Sequence, residues 1–314
     1  MSQLEKRRKI SQPVAVIGLL VAACFWGGMY VVAKDAMEVI SANWMLCIRF
    51  LAAFIIMLVI YWKYVKKVTK EDLKGGLVTG LFMGSAYTSM TIGLSYINAG
   101  NCAFITDSYV IWIPIVLFIG WKVKPGFHIF IAAALALIGV AFMTLQGGLH
   151  LRFGDLITLV GSFLWTGELI AIDIYSKKIK PQVLVTFQTL TVCIFTFIMA
   201  LILREPTPTL SVLSEPKLIL QFAYLVILAT FVANSCQNYF QSYVSSTTVS
   251  VVFPTESIFA TVFGIIFLGE VLTGMTFIGM LFLVAAILMN TLGGRIFRKK
   301  DSQEKVKEPD KGTS

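Results

Sequence analysis

Apolar stretches of about 20 residues recur along the whole chain, at roughly 13–34, 43–62, 74–96, 99–121, 126–146, 154–175, 182–203, 219–241, 247–268 and 273–293. A helix of about 20 residues crosses the hydrocarbon core of a bilayer, where each backbone polar group must be satisfied within its own span. Ten such stretches in 314 residues leave no room for a separate soluble domain. The expected fold is therefore an all-α polytopic membrane protein with ten transmembrane helices. Composition agrees: 57% of residues are hydrophobic, 14% are charged and the mean hydropathy is +0.81. That is too little charge to cover a water-facing surface, which excludes a soluble enzyme, a disordered chain and a disulfide-stapled secreted domain. The basic cluster Lys6 to Lys9 before the first apolar run has the start of a signal peptide. The run is too long for one, however, and ends in Lys34-Asp35 rather than a small-residue cleavage site, so it is read as a retained span.

The net charge of +9 does not form a basic groove. If the N-terminus is cytoplasmic, 21 Lys and Arg residues fall on the inner side and 4 on the outer side, with Arg49 inside a span. This positive-inside alternation places both termini in the cytoplasm and argues against a nucleic-acid partner. The five cysteines, Cys24, Cys47, Cys102, Cys193 and Cys236, lie in apolar runs without a CxxC spacing, and read as small buried hydrophobes. With only two histidines, His128 and His150, no metal site is expected. Gly75-Gly76 lacks a following Gly-Lys-Ser, so no nucleotide site and no cofactor is implied.

The two halves of the chain resemble each other. Phe25-Trp26-Gly27-Gly28 matches Leu164-Trp165-Thr166-Gly167, and the same offset sets Arg49 on Gln188 and Met29 on Glu168. Phe104-Ile105-Thr106-Asp107-Ser108 matches Phe253-Pro254-Thr255-Glu256-Ser257. Ser95-Tyr96 matches Ser242-Tyr243, and Thr144-Leu145 matches Thr291-Leu292, in the same order. The expected organisation is a basic N-tail (1–12), a first repeat (13–148), a second repeat (149–294) and a basic C-tail (295–314). Five spans per repeat make the second copy enter the membrane from the opposite side. Such inverted repeats are typical of secondary transporters, because two inverted copies give inward-open and outward-open states of similar energy.

A charge at bilayer depth costs several kcal/mol unless it faces a cavity or a partner. Arg49, Asp107, Glu168 and Glu256 are such charges. The repeat-equivalent Asp107 and Glu256 either line a central cavity, for a cationic group or a proton, or bond Thr and Ser of neighbouring helices. Glu256 also follows Pro254, which removes a backbone donor. Glu168 shares a helix face with Trp165 and suits a proton carrier. Arg49 needs neutralising, by one of these carboxylates in a permanent ion pair or by a substrate carboxylate. The polar stripe Asn234, Ser235, Gln237 and Asn238 in span 8 and Ser85, Thr88, Ser89 and Thr91 in span 3 are either a wet wall or interhelical hydrogen bonding. Trp26 and Trp165 cap a cavity or fill space. Gly80, Gly84, Gly93 and Gly139 read as close helix contacts.

Trp26-Gly27-Gly28, Arg49 in span 2, Gly154-Asp155-Leu156, Pro254-Thr255-Glu256 and Phe267-Leu268-Gly269-Glu270-Val271-Leu272-Thr273 together resemble the EamA-type permeases of the drug/metabolite transporter superfamily. The likeness spans about residues 13 to 294, and departs at Ile119-Gly120-Trp121-Lys122, where Leu-Gly-Glu is often repeated. It implies a carrier in the cell membrane, not an enzyme, that moves a small polar metabolite such as an amino acid outward by alternating access. The substrate residues it leaves as candidates are Glu256, Glu168, Asp107, Arg49, Trp26, Trp165, Thr88, Asn234, Asn238 and Gln237. Import of a sugar, a nucleotide-linked metabolite or a drug is the alternative within transport. A membrane-embedded enzyme is the alternative outside it, but paired Asp motifs and HExxH are absent.

Overall fold

The computed structural model describes residues 10–122, 152–244, 252–269 and 271–282, with further positions at 131–132, 134–135, 138–139, 142, 249, 284–286 and 288–289. The expected fifth span falls mostly outside the described residues, as do both tails, His128, His150 and Glu270. Among the described residues all regular structure is helical. The helices are α1 (Gln12–Ala36), α2 (Ala42–Ile60), α3 (Lys70–Leu94), α4 (Ala99–Thr106), α5 (Tyr109–Trp121), α6 (Phe153–Tyr175), α7 (Pro181–Ile202), α8 (Pro216–Ala223), α9 (Ala233–Phe240) and α10 (Thr255–Leu268). A π-helical stretch, Tyr224–Val232, joins α8 to α9. Single-turn helices Trp62–Val65 and Leu210–Leu213 sit in connections.

Seven spans are long and apolar enough to cross a membrane, and two shorter apolar helices, Thr255–Leu268 and Gly274–Ala286, follow them. The polarity is inside-out: Glu168, Gln188, Asn234 and Asn238 are fully buried, while Val59, Ile60, Ile198 and Ile202 face outward. In lipid this is the stable arrangement, because the outer face meets hydrocarbon and polar groups find partners only within the bundle. The chain is a multi-pass α-helical membrane protein.

Two span edges differ from the sequence expectation. The third begins at Lys70 because Thr69 and Asp72 close a capping box over its first turn. In the ninth, Val249 and Val252 are already helical, and a turn at Phe253 and Pro254 breaks the span, with Pro254 as the N-cap of the α10 segment that follows.

The halves pack as an inverted pair. In α2 and its repeat counterpart α7, Asn43 at the start of one meets Glu205 just past the end of the other, and Met57 meets Thr189. In α4 and its counterpart α10, Gly100 abuts Thr261 and Asp107 bonds Ser257. Both pairs of equivalent helices therefore run antiparallel, which requires a twofold pseudo-axis lying across the spans. Packing obeys the same exchange: α1 lies against α9 and α10, while its counterpart α6 lies against α3 and α4.

Glycine sets the closest approach. A Cβ on Gly76 would meet Phe187, one on Gly80 would meet Thr191, and one on Gly84 would meet Phe195. The fourfold spacing on both helices lays α3 along α7. Gly93 likewise leaves room for Thr158 of α6. Between lipid-solvated helices van der Waals packing takes the place of the hydrophobic drive, and small residues provide it.

Candidate functional site

The fourth and ninth spans are interrupted at equivalent places. Asp107 ends α4 and a tight turn leads into α5, while Glu256 stands in the first turn of α10. Ser257 Oγ donates to Asp107 Oδ2, so the two acids occupy facing turns. Tyr30 Oη donates to Glu256 Oε1 at 3.2 Å.

A hollow lies at this junction. It is lined by Trp26, Met29 and Tyr30 of α1, Tyr87 and Met90 of α3, Thr106 and Tyr109 of the fourth span, Trp165 and Leu169 of α6, Gln237 of α9, and Phe253 and Glu256 of the ninth. Both repeats contribute their first, third and fourth helices, as the pseudo-axis dictates. The hollow measures about 30 Å³, room for water but not for a solute. Trp26 packs edge-on to Phe253 and Trp165 edge-on to Tyr87, both at 4.9 Å between centroids.

Behind Gln237 lies a polar network. Gln237 Nε2 donates to both oxygens of Glu168 at 3.3 and 3.2 Å. Gln188 Nε2 donates to Glu168 Oε1 at 2.9 Å, and Asn238 Nδ2 donates to Gln188 Oε1 at 2.9 Å. Glu168 thus has neutral amide donors in place of a cation.

Arg49, 1% exposed, takes no carboxylate partner among the described residues. Its Nε donates to Thr230 Oγ1 at 2.5 Å, Nη2 to the Ala229 carbonyl at 3.2 Å and Nη1 to Met29 Sδ at 3.0 Å. Its guanidinium also lies 5.1 Å from the Phe50 ring centroid and 5.2 Å from that of Tyr87. This corrects the expected internal ion pair: dispersed dipoles and two aromatic faces hold the charge. The π-helical turn makes the carbonyl accessible. The Ala233 N–H reaches Leu228 and Thr230, leaving Ala229 O to accept from Arg49 and from Trp26 Nε1 at 3.0 Å.

Of the candidates from sequence, Trp26, Trp165, Gln237 and Glu256 line the hollow. Glu168 and Asn238 stand behind Gln237, and Arg49 stands behind Met29 and Tyr87. Asp107 sits beside Glu256 through Ser257. Asn234 is buried in α9, and its carbonyl takes a bond from Asn238. Thr88 is elsewhere: it donates to Asn43 Oδ1 at 2.9 Å, next to the carboxylate of Glu205. The aromatic walls Tyr30, Tyr87, Tyr109 and Phe253 were not singled out by sequence. Only the position of Tyr30, one turn after Trp26, hinted at a shared face. Among the described residues no group of three His, Cys, Asp or Glu side chains could hold a metal.

Comparison with known proteins follows the same outline. A crystallographically solved protein superposes with a TM-score of 0.69 at 14% identity, covering 91% of this chain and 99% of its own, which speaks to fold alone. A protein of Archaeoglobus fulgidus, named an uncharacterized transporter, is 28% identical over 278 residues, covering 88% of this chain and 86% of its own. The sequence model of the EamA-like transporter family matches twice, at residues 13–145 and 152–292. The family model matches both halves, one on each side of an inverted junction that holds an aromatic-walled hollow, and the chain belongs to the EamA-like transporter family.

Proposed function

We propose that this membrane transporter works as a secondary carrier of the cell membrane, with both termini cytoplasmic. It moves a small polar metabolite, an amino acid or a related compound, outward by alternating access, in exchange for protons held on Glu256, Asp107 and Glu168. The observation that supports this reading most is the hollow itself, walled by equivalent helices of both repeats and carrying Glu256 at its edge. A site on the pseudo-axis can be offered to either face by rocking one repeat against the other. The water-sized volume fits a conformation closed to solutes on both faces.

The test is flux of a labelled metabolite panel in proteoliposomes, with and without an imposed pH gradient. Wild-type protein is expected to carry at least one panel member faster when the gradient is present. Glu256→Gln and Glu168→Gln are each expected to cut that flux about tenfold or more while insertion stays intact. Near wild-type flux in both variants removes these carboxylates from the mechanism.

A further inference from the structure

We propose that this hollow recognises the ammonium head of a small amine, and that a free carboxylate on the substrate works against binding. The inference rests on the carrier reading above and narrows its small polar metabolite to amines without a free carboxylate, which sets free amino acids aside. Six aromatic rings line the space. Ring faces attract cations, most strongly where water is excluded. Glu256 supplies the counter-charge: among the described residues Tyr30 satisfies only Oε1, so Oε2 is left for a ligand.

Gln237 adds a second acceptor. Both of its contacts to Glu168 come from Nε2, which turns Oε1 away from that carboxylate, and Oε1 is buried without a donor. A buried acceptor without a donor carries an unrecovered desolvation cost, and an ammonium N–H would remove it. The space, about 30 Å³, has the scale of such a head group.

Among the described residues no cationic side chain lines the hollow. Arg49 spends its contacts on Thr230, Ala229 and Met29, and the side chains of Met29 and Tyr87 stand between it and the hollow. Trp165 Nε1, which has no acceptor, is only a neutral donor. A substrate carboxylate would therefore meet Glu256 and the Gln237 carbonyl with no charge to offset the repulsion.

Three solutes of matched shape separate the cases: 2-phenylethylamine, phenylalanine and 3-phenylpropionate. They are titrated against the full-length protein in detergent, with intrinsic tryptophan fluorescence as the readout. The amine is expected to bind at least about tenfold more tightly than the zwitterion, and the anion not at all. Glu256→Gln and Gln237→Leu, each checked for monodispersity, are expected to weaken the amine about tenfold and shrink the difference. Equal or tighter binding of phenylalanine, no binding of any of the three, or amine affinity unmoved in both variants overturns the inference. Flux of the same solutes, corrected for protein-free liposomes, distinguishes the two readings. Amine binding with no carried solute leaves the amine site standing and sinks the carrier. Carriage of phenylalanine without amine binding does the reverse.

Discussion

Arg49 and Glu168 are opposite charges buried in equivalent parts of the two repeats, yet neither pairs with the other. Position 49 reaches back to position 29, and its equivalent 188 reaches back to 168, so the same inter-helix contact is made twice with different chemistry. In one half it is guanidinium on thioether, and in the other amide on carboxylate. The sequence offset paired Arg49 with Gln188 and Met29 with Glu168, but did not show that Arg49 touches Met29 and Gln188 touches Glu168 across two helices. Arg49→Lys tests how the cation is held. A lysine is a single point charge and cannot reach Thr230, Ala229 and Met29 together, nor lie flat between Phe50 and Tyr87. The expected cost is about 1–3 kcal/mol from the polar groups left unpaired. A lowered melting temperature in detergent, read by size-exclusion of heated samples, checks it, and an unchanged midpoint would mean that the planar contacts contribute nothing.

At the scale of elements, glycine placement and one irregular turn decide how the spans meet. The four-residue spacing of Gly80 and Gly84 was legible as a contact surface, because a helix repeats its face at that interval, whereas Gly76, which continues it, was not read as one. The helix it meets was not legible, since the sequence carries no record of α7 lying alongside. A Cβ on Gly80 would come within 2.4 Å of Thr191 Cβ and 2.7 Å of the Gln188 carbonyl oxygen, which is backbone and cannot swing aside. Gly80→Ala is expected to destabilise by about 1–3 kcal/mol through overpacking. Gly120→Ala, where nothing lies within 4 Å, is expected to be neutral or slightly stabilising. Thermal midpoints of the two variants, measured side by side, check the contrast. The π-helical turn had no signal of its own: Tyr224 to Val232 is apolar but for Tyr224 and Thr230, and only packing against Trp26 and Arg49 gives its wide turn a purpose.

At the scale of the whole molecule, the two ends of the bundle are tied across the halves unequally. At one end Lys217 bonds Asp35 at 2.9 Å, and Gln221 donates to the other oxygen of the same carboxylate. At the same end Glu205 accepts from the backbone N–H of Asn43 at 2.9 Å, capping α2, whose N-cap residue Ser41 makes no side-chain cap bond. The opposite end has a lighter closure, a Tyr61–Ser235 hydrogen bond at 3.1 Å beside a hollow of about 210 Å³. If transport requires the first end to part, cysteines at Asp35 and Gln221 joined by a short bis-methanethiosulfonate, which forms a disulfide with each thiolate and releases sulfinate, will stop flux, and each single-cysteine variant treated alike will keep it. Undiminished flux in the cross-linked protein would place the moving boundary elsewhere.

The chain alone determined the multi-pass all-helical class, the duplication and the family, because each follows from local signals: apolar length and motifs recurring in order. Tertiary structure decided which buried polar groups meet. Glu168 is satisfied by Gln188 and Gln237, and Arg49 by Thr230 and Ala229, partners on helices far along the chain. Expelling polar groups from lipid forces each to find a partner, but which one it finds depends on how the helices are laid together. That arrangement is fixed by glycine contacts and inverted pairing, which no single span encodes.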